Sequence, residues 1–211
     1  MDTDPTAAAP DAAPPAAQPP AARADVPAAE EPRCVLRTDG RFHALMQGVA
    51  VAVLAAFALA APRGAVATLC SAARATGPGL WLATLVAGVV AETALHEAGH
   101  ALVFRIAGLR TACGVLTRRG VPLGAYCRPQ GRVPRPVMLA SLLAPQVAVP
   151  AVLLPLGAAL GEWPLAVLLC VFNVAGSVGD AAFLGAILTR PAAAAYLDVD
   201  DGLFAAGERT A

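Results

Sequence analysis

Four long apolar runs constrain this chain more than anything else in it. Phe42 to Ala61 and Val137 to Leu160 carry no formal charge, and Trp163 to Thr189 carries only Asp180. Leu80 to Ile106 holds Glu92, Glu97 and Arg105. A helix that crosses the hydrocarbon of a bilayer needs about 20 predominantly apolar residues, and each run supplies them. The expected fold is an all-α polytopic membrane protein with about four transmembrane helices (42–61, 80–106, 137–160 and 163–189). Span three contains Pro145, Pro150 and Pro155, so it reads as a kinked helix or two half-helices, which neighbouring helices can satisfy. Only Gly161 and Glu162 separate spans three and four, so those two should run antiparallel. Charged residues make up 14% of the chain, against roughly 25% in an ordinary soluble domain. That argues against a soluble Rossmann-type enzyme and against a nucleic-acid partner. The first partner is the lipid bilayer.

The charge that remains is segregated. Residues 1–32 are mostly Ala and Pro, with six acids against Arg23. Such a segment cannot bury enough apolar surface to offset its ordering entropy, so it reads as a disordered acidic tail. The integral membrane part is 33–211. With the N-terminus inside, eleven Arg fall on inner segments and only Arg63 and Arg74 on outer ones. By the positive-inside rule both termini are cytoplasmic. All fifteen basic residues are Arg, which reads as the codon bias of a GC-rich bacterial genome and places the chain in a bacterial inner membrane. Between spans two and three, two extended runs flank Arg118-Arg119-Gly120 and suggest a small cytoplasmic β-hairpin. Cys113 and Cys127 are able to meet across it. However, the five cysteines are odd in number and lack CxxC spacing, so no disulfide framework is expected and Cys113 and Cys127 read as two free cytosolic thiols.

Span two carries the chemistry. His96-Glu97-Ala98-Gly99-His100 is an HExxH motif and uses two of the three histidines. On a helix, positions i and i+4 share a face, so both rings can turn one nitrogen to a single zinc ion. Glu97 then stands beside the metal, placed to take a proton from water. An acid in mid-membrane is unfavourable by about 2.5–3.5 kcal/mol on the insertion scale, so Glu92 and Glu97 call for a cation or a polar cavity. A zinc site of this kind needs a third protein ligand. His43 starts span one and reads as an interfacial histidine. Glu92 lies one turn before His96 and reads as a supporting acid or part of a polar cavity. Asp180 is the favoured third ligand. It lies 17 residues beyond Trp163, and His96 lies 16 beyond Leu80. At 1.5 Å per residue these are depths of roughly 26 and 24 Å. Asn173, two turns before Asp180, is placed to contact substrate or to make an interhelical hydrogen bond.

HEAGH in a membrane helix, a cytoplasmic hairpin, Leu143-Ala-Pro145, Asn173 and Gly179-Asp180 together resemble site-2-type intramembrane zinc metalloproteases. More closely, with Asp198 to Gly202 following, they resemble the small membrane family of putative zincin peptidases, DUF3267. The resemblance covers about Leu80 to Gly202. It implies zinc on His96, His100 and Asp180, Glu97 as general base, and a membrane protein or peptide as substrate. The sequence departs from the site-2 pattern in lacking proline after Asn173 and glycine after Asp180. A zinc-binding membrane protein without proteolysis, acting as a regulatory or assembly factor, is the alternative. Four spans without an internal repeat argue against a transporter.

Overall fold

The computed structural model describes residues 32–118, 121–190, 193–199 and 201–208. The segment expected to be a disordered tail lies outside them except for Pro32, as do Arg119 and Gly120 of the hairpin turn.

Strand β1 (Arg33–Arg37) leads into helix α1 (Gly40–Ala60). Asp39 caps α1, its Oδ1 accepting from the backbone N–H of Phe42 at 2.9 Å and Arg41 at 3.0 Å. The Phe42 N–H foremost holds the Asp39 carboxyl below its ordinary range. The connection after α1 forms a short helix, α2 (Arg63–Thr76). Gly77, at φ 84°, ends it, and Pro78 starts α3 (Pro78–Ile106) in the first turn, where its missing N–H is harmless. The hairpin follows as β2 (Thr111–Arg118) and β3 (Val121–Pro129). Short β4 (Val133–Pro134) precedes α4 (Arg135–Leu160), which continues through all three prolines. Helices α5 (Trp163–Gly176) and α6 (Val178–Leu188) form one apolar run bent by 45° at Ser177. Helices α1, α3 and α4 are long and apolar enough to cross a membrane, and the bent pair makes a fourth if counted as one span.

Exposure is inverted relative to a water-soluble bundle. Leu59 is 89% exposed, Ile106 78% and Val147 70%. The buried positions of α3 are Glu92, His96, Gly99, His100 and Phe104, which repeat at helical spacing on one stripe. Polar groups inside and apolar groups outside is the arrangement lipid favours, because buried polar side chains find partners only within the bundle.

The all-α expectation needs a correction. Besides the hairpin there is a four-stranded antiparallel sheet, ordered β1-β6-β5-β4, built from both ends of the described chain and the short β4 before α4. Its centre is a second hairpin, β5 (Ala193–Val199) and β6 (Gly202–Glu208). The sheet packs where α3, α4 and α6 end, around buried Phe104, Val133, Met138, Leu142, Ile187, Tyr196 and Leu203. Gly202 sits at φ 139°, and a Cβ there would run into the Leu36 carbonyl of β1. The sequence signal is Asp201-Gly202 between two strand-length runs, a frequent hairpin turn.

The reading of Cys113 and Cys127 as free thiols is also corrected. They face each other in the β2–β3 register, with Cα atoms 4.1 Å apart, and form a disulfide. Cys34 and Cys70 are free and exposed.

Candidate metal centre

The site forms where α3, α4 and the α5–α6 bend converge. Helix α3 aligns His96 and His100 one turn apart. The bend brings Asp180, in the first turn of α6, against them. His96 Nε2 lies 3.2 Å and His100 Nε2 3.5 Å from Asp180 Oδ2, and the two Nε2 atoms are 3.2 Å apart. Zinc bonds of about 2.0–2.2 Å at tetrahedral angles separate neighbouring donors by about 3.3–3.5 Å. The three atoms therefore already occupy one face of a zinc tetrahedron.

Each ring is oriented by its far nitrogen. His100 Nδ1 is 2.9 Å from the Ser141 backbone carbonyl on α4. A carbonyl only accepts, so Nδ1 carries the proton and Nε2 presents a lone pair. His96 Nδ1 lies 2.8 Å from Asn173 Oδ1 on α5, with the same consequence. Asp180 Oδ2 is buried and has no hydrogen-bond partner. With both rings neutral, three electron-pair donors thus converge, which is unfavourable unless a cation sits among them. The donor set of two imidazoles and a carboxylate is one that zinc takes at catalytic sites.

The Ser141 carbonyl is available for a local reason. In a regular helix it would accept from the N–H of residue 145, but that residue is Pro145 and has none. The middle of the HExxH motif lets α4 approach. A Cβ on Gly99 would lie 3.3 Å from the Pro145 backbone nitrogen, so the smallest residue sits at the closest crossing of the two helices.

The structure brings His96, His100 and Asp180 together as a group able to hold a metal. Glu97 stands beside this group and lines the same cavity of about 260 Å³. Cys127 on β3 lines that cavity with it, so the hairpin roofs the site. Arg128, stacked 4.8 Å over the Tyr126 ring and 3.8 Å from Asp198, ties that roof to the sheet. His43 lines the cavity without joining the donor group. Glu92, 3% exposed, has Oε1 without a partner. It lines a neighbouring cavity of about 300 Å³ that also reaches His96 and Glu97. Asn173 makes an interhelical hydrogen bond, and its partner is His96. Arg105 is exposed at the end of α3.

Sequence reasoning missed four contributors: the Ser141 carbonyl, Pro145, Gln146 and Ser177. The available signals were a proline four residues after Ser141 and a lone glutamine in a charge-free span.

Residues 89–195 match the model of the family described as "Putative zincin peptidase". That stretch contains HExxH, the hairpin, α4 and the α5–α6 bend. No curated protein and no solved structure matches the chain.

Proposed function

The chain belongs to the putative zincin peptidase family, and from that premise we propose that it is a zinc metallopeptidase working inside a membrane. In this reading it cleaves membrane proteins or peptides, as site-2-type proteases do. The observation that carries the proposal is the convergence of His96, His100 and Asp180, each ring with its lone pair turned inward. When bound there, zinc supplies Lewis acidity toward a water and a peptide carbonyl. Glu97 takes a proton from the attacking water as its oxygen bonds to the carbonyl carbon. It then delivers that proton to the leaving nitrogen as the C–N bond breaks. The Gly124–Tyr126 edge of β3 borders the cavity and offers an extended backbone against which a substrate strand can align.

Purified protein should carry about one zinc per chain, as a three-ligand catalytic site requires. In proteoliposomes it should cleave a panel of single-span peptides, and a zinc chelator should stop it. Metal-free protein that still cleaves would overturn the proposal. Zinc without turnover would leave the non-proteolytic alternative.

We further propose that the membrane is a bacterial inner membrane and that both termini lie in the cytoplasm, supported by the Arg asymmetry. Two exposed thiols test the orientation, Cys34 on β1 and Cys70 on α2. A membrane-impermeant maleimide should label Cys70 in spheroplasts and reach Cys34 only after permeabilisation. The opposite pattern would invert the topology.

A further inference from the structure

Behind His96 runs a chain of hydrogen bonds with a fixed direction. Ser177 Oγ donates to the Asn173 backbone carbonyl at 2.7 Å. Gln146 Nε2 donates to Ser177 Oγ. Asn173 Nδ2 donates to Gln146 Oε1 at 3.4 Å, and Asn173 Oδ1 faces His96 Nδ1 at 2.8 Å. Asn173 is 1% exposed and Ser177 7%, so water does not compete for those two groups, and Gln146 between them is half-buried. We infer that Gln146 and Ser177 are positioning residues that set the tautomer of His96 and so decide whether it can ligate zinc. The inference rests on the reading of His96 as a ligand.

The sense of the chain follows from its anchor. A backbone carbonyl can only accept, and a serine hydroxyl has one proton to give. With that proton on the Asn173 carbonyl, Ser177 Oγ accepts from Gln146, which must turn its amide nitrogen that way. Gln146 Oε1 is then left for Asn173 Nδ2. Asn173 in turn presents its oxygen to His96, so Nδ1 holds the proton and Nε2 keeps its lone pair for the metal. Were the two amides reversed, Asn173 would donate to Nδ1. The proton would move to Nε2 and point at the position a metal would take. Groups that orient metal-bound imidazoles typically change affinity by about 10–100-fold when removed. Here the control lies two side chains away from the ring, on α4 and at the helix bend.

The test compares two substitutions in the full-length protein in detergent. Gln146→Met keeps the volume and removes both hydrogen bonds. Gln146→Glu has two acceptor oxygens, one for the Ser177 hydroxyl and one for Asn173 Nδ2, so Asn173 keeps its orientation. Zinc affinity by chelator competition should fall about 10–100-fold in the Met variant and stay near wild type in the Glu variant. A packing role for Gln146 gives the reverse order, because Met is the gentler change and Glu introduces a buried charge. The imidazole ¹⁵N spectrum of zinc-free protein supplies the second readout. Wild type and the Glu variant should show His96 as the Nδ1–H tautomer, and the Met variant a mixture. Equal affinities, or a Met variant that outranks the Glu variant, would overturn the inference. If wild type binds no zinc, the ligand reading falls, and the tautomer spectra still decide the hydrogen-bond chain.

Discussion

Glu97→Gln should keep its zinc and lose about 10²–10⁴-fold in peptide-bond hydrolysis, the usual contribution of a positioned general base. The substitution preserves side-chain size and shape, so the cavity should not collapse. What disappears is an atom able to take a proton from water and return it to the leaving nitrogen. The three atoms that converge for a metal come from His96, His100 and Asp180, without Glu97, so stoichiometry should stay the same. Metal analysis and single-turnover cleavage on one preparation separate the two effects. Undiminished cleavage by the Gln variant would remove Glu97 from the chemistry, and lost zinc would make it a ligand.

Pro145→Ala should strengthen helix α4 and yet weaken zinc binding by about 10–100-fold, the range for removing a group that orients a metal-bound histidine. Taken alone the change is favourable, because proline in a helix interior is about 3 kcal/mol worse than alanine. But the new alanine would bring an N–H directed at the Ser141 carbonyl, which now lies 2.9 Å from His100 Nδ1. The helix bond and the histidine would compete for one acceptor. A His100 released from that carbonyl can adopt the other tautomer and place a proton where zinc would sit. Chelator competition reads the affinity, and thermal unfolding of zinc-free protein reads the helix. Unchanged affinity with a raised melting temperature would show that the His100 contact does not govern ligation. A lowered melting temperature would point instead to the packing of Pro145 against Gly99.

The second prediction concerns a hydrogen bond between helices, the part of this protein least visible in one dimension. The spans were legible because hydropathy is a sum over neighbours in sequence, and α1, α3 and α4 follow it closely. HExxH was legible because its ligand spacing is local to one helix. Asp180 was within reach because an antiparallel bundle converts residue offsets into depth. The four-stranded sheet was not seen, although Asp201-Gly202 marked its central turn. Its strands are short, and β1 finds its partner β6 at the far end of the chain, Arg33 against Ala205 and Arg37 against Gly202. The Cys113–Cys127 pairing was visible as a possibility across the hairpin but was disfavoured on cysteine count and spacing, which say nothing about which residues a hairpin register places face to face.

The sequence by itself determined where apolar helices run, which helix carries the histidines and which acids stand near them in depth. These follow from hydrophobicity and helical periodicity, both local properties of the chain. Only the tertiary structure decided which nitrogen of each histidine is free. That depends on a carbonyl released by Pro145 on α4 and on the Asn173 amide of α5, oriented by Gln146 of α4 and by Ser177 at the helix bend. Hydrogen-bond direction is a property of several segments packed together, and no single stretch of the chain contains it.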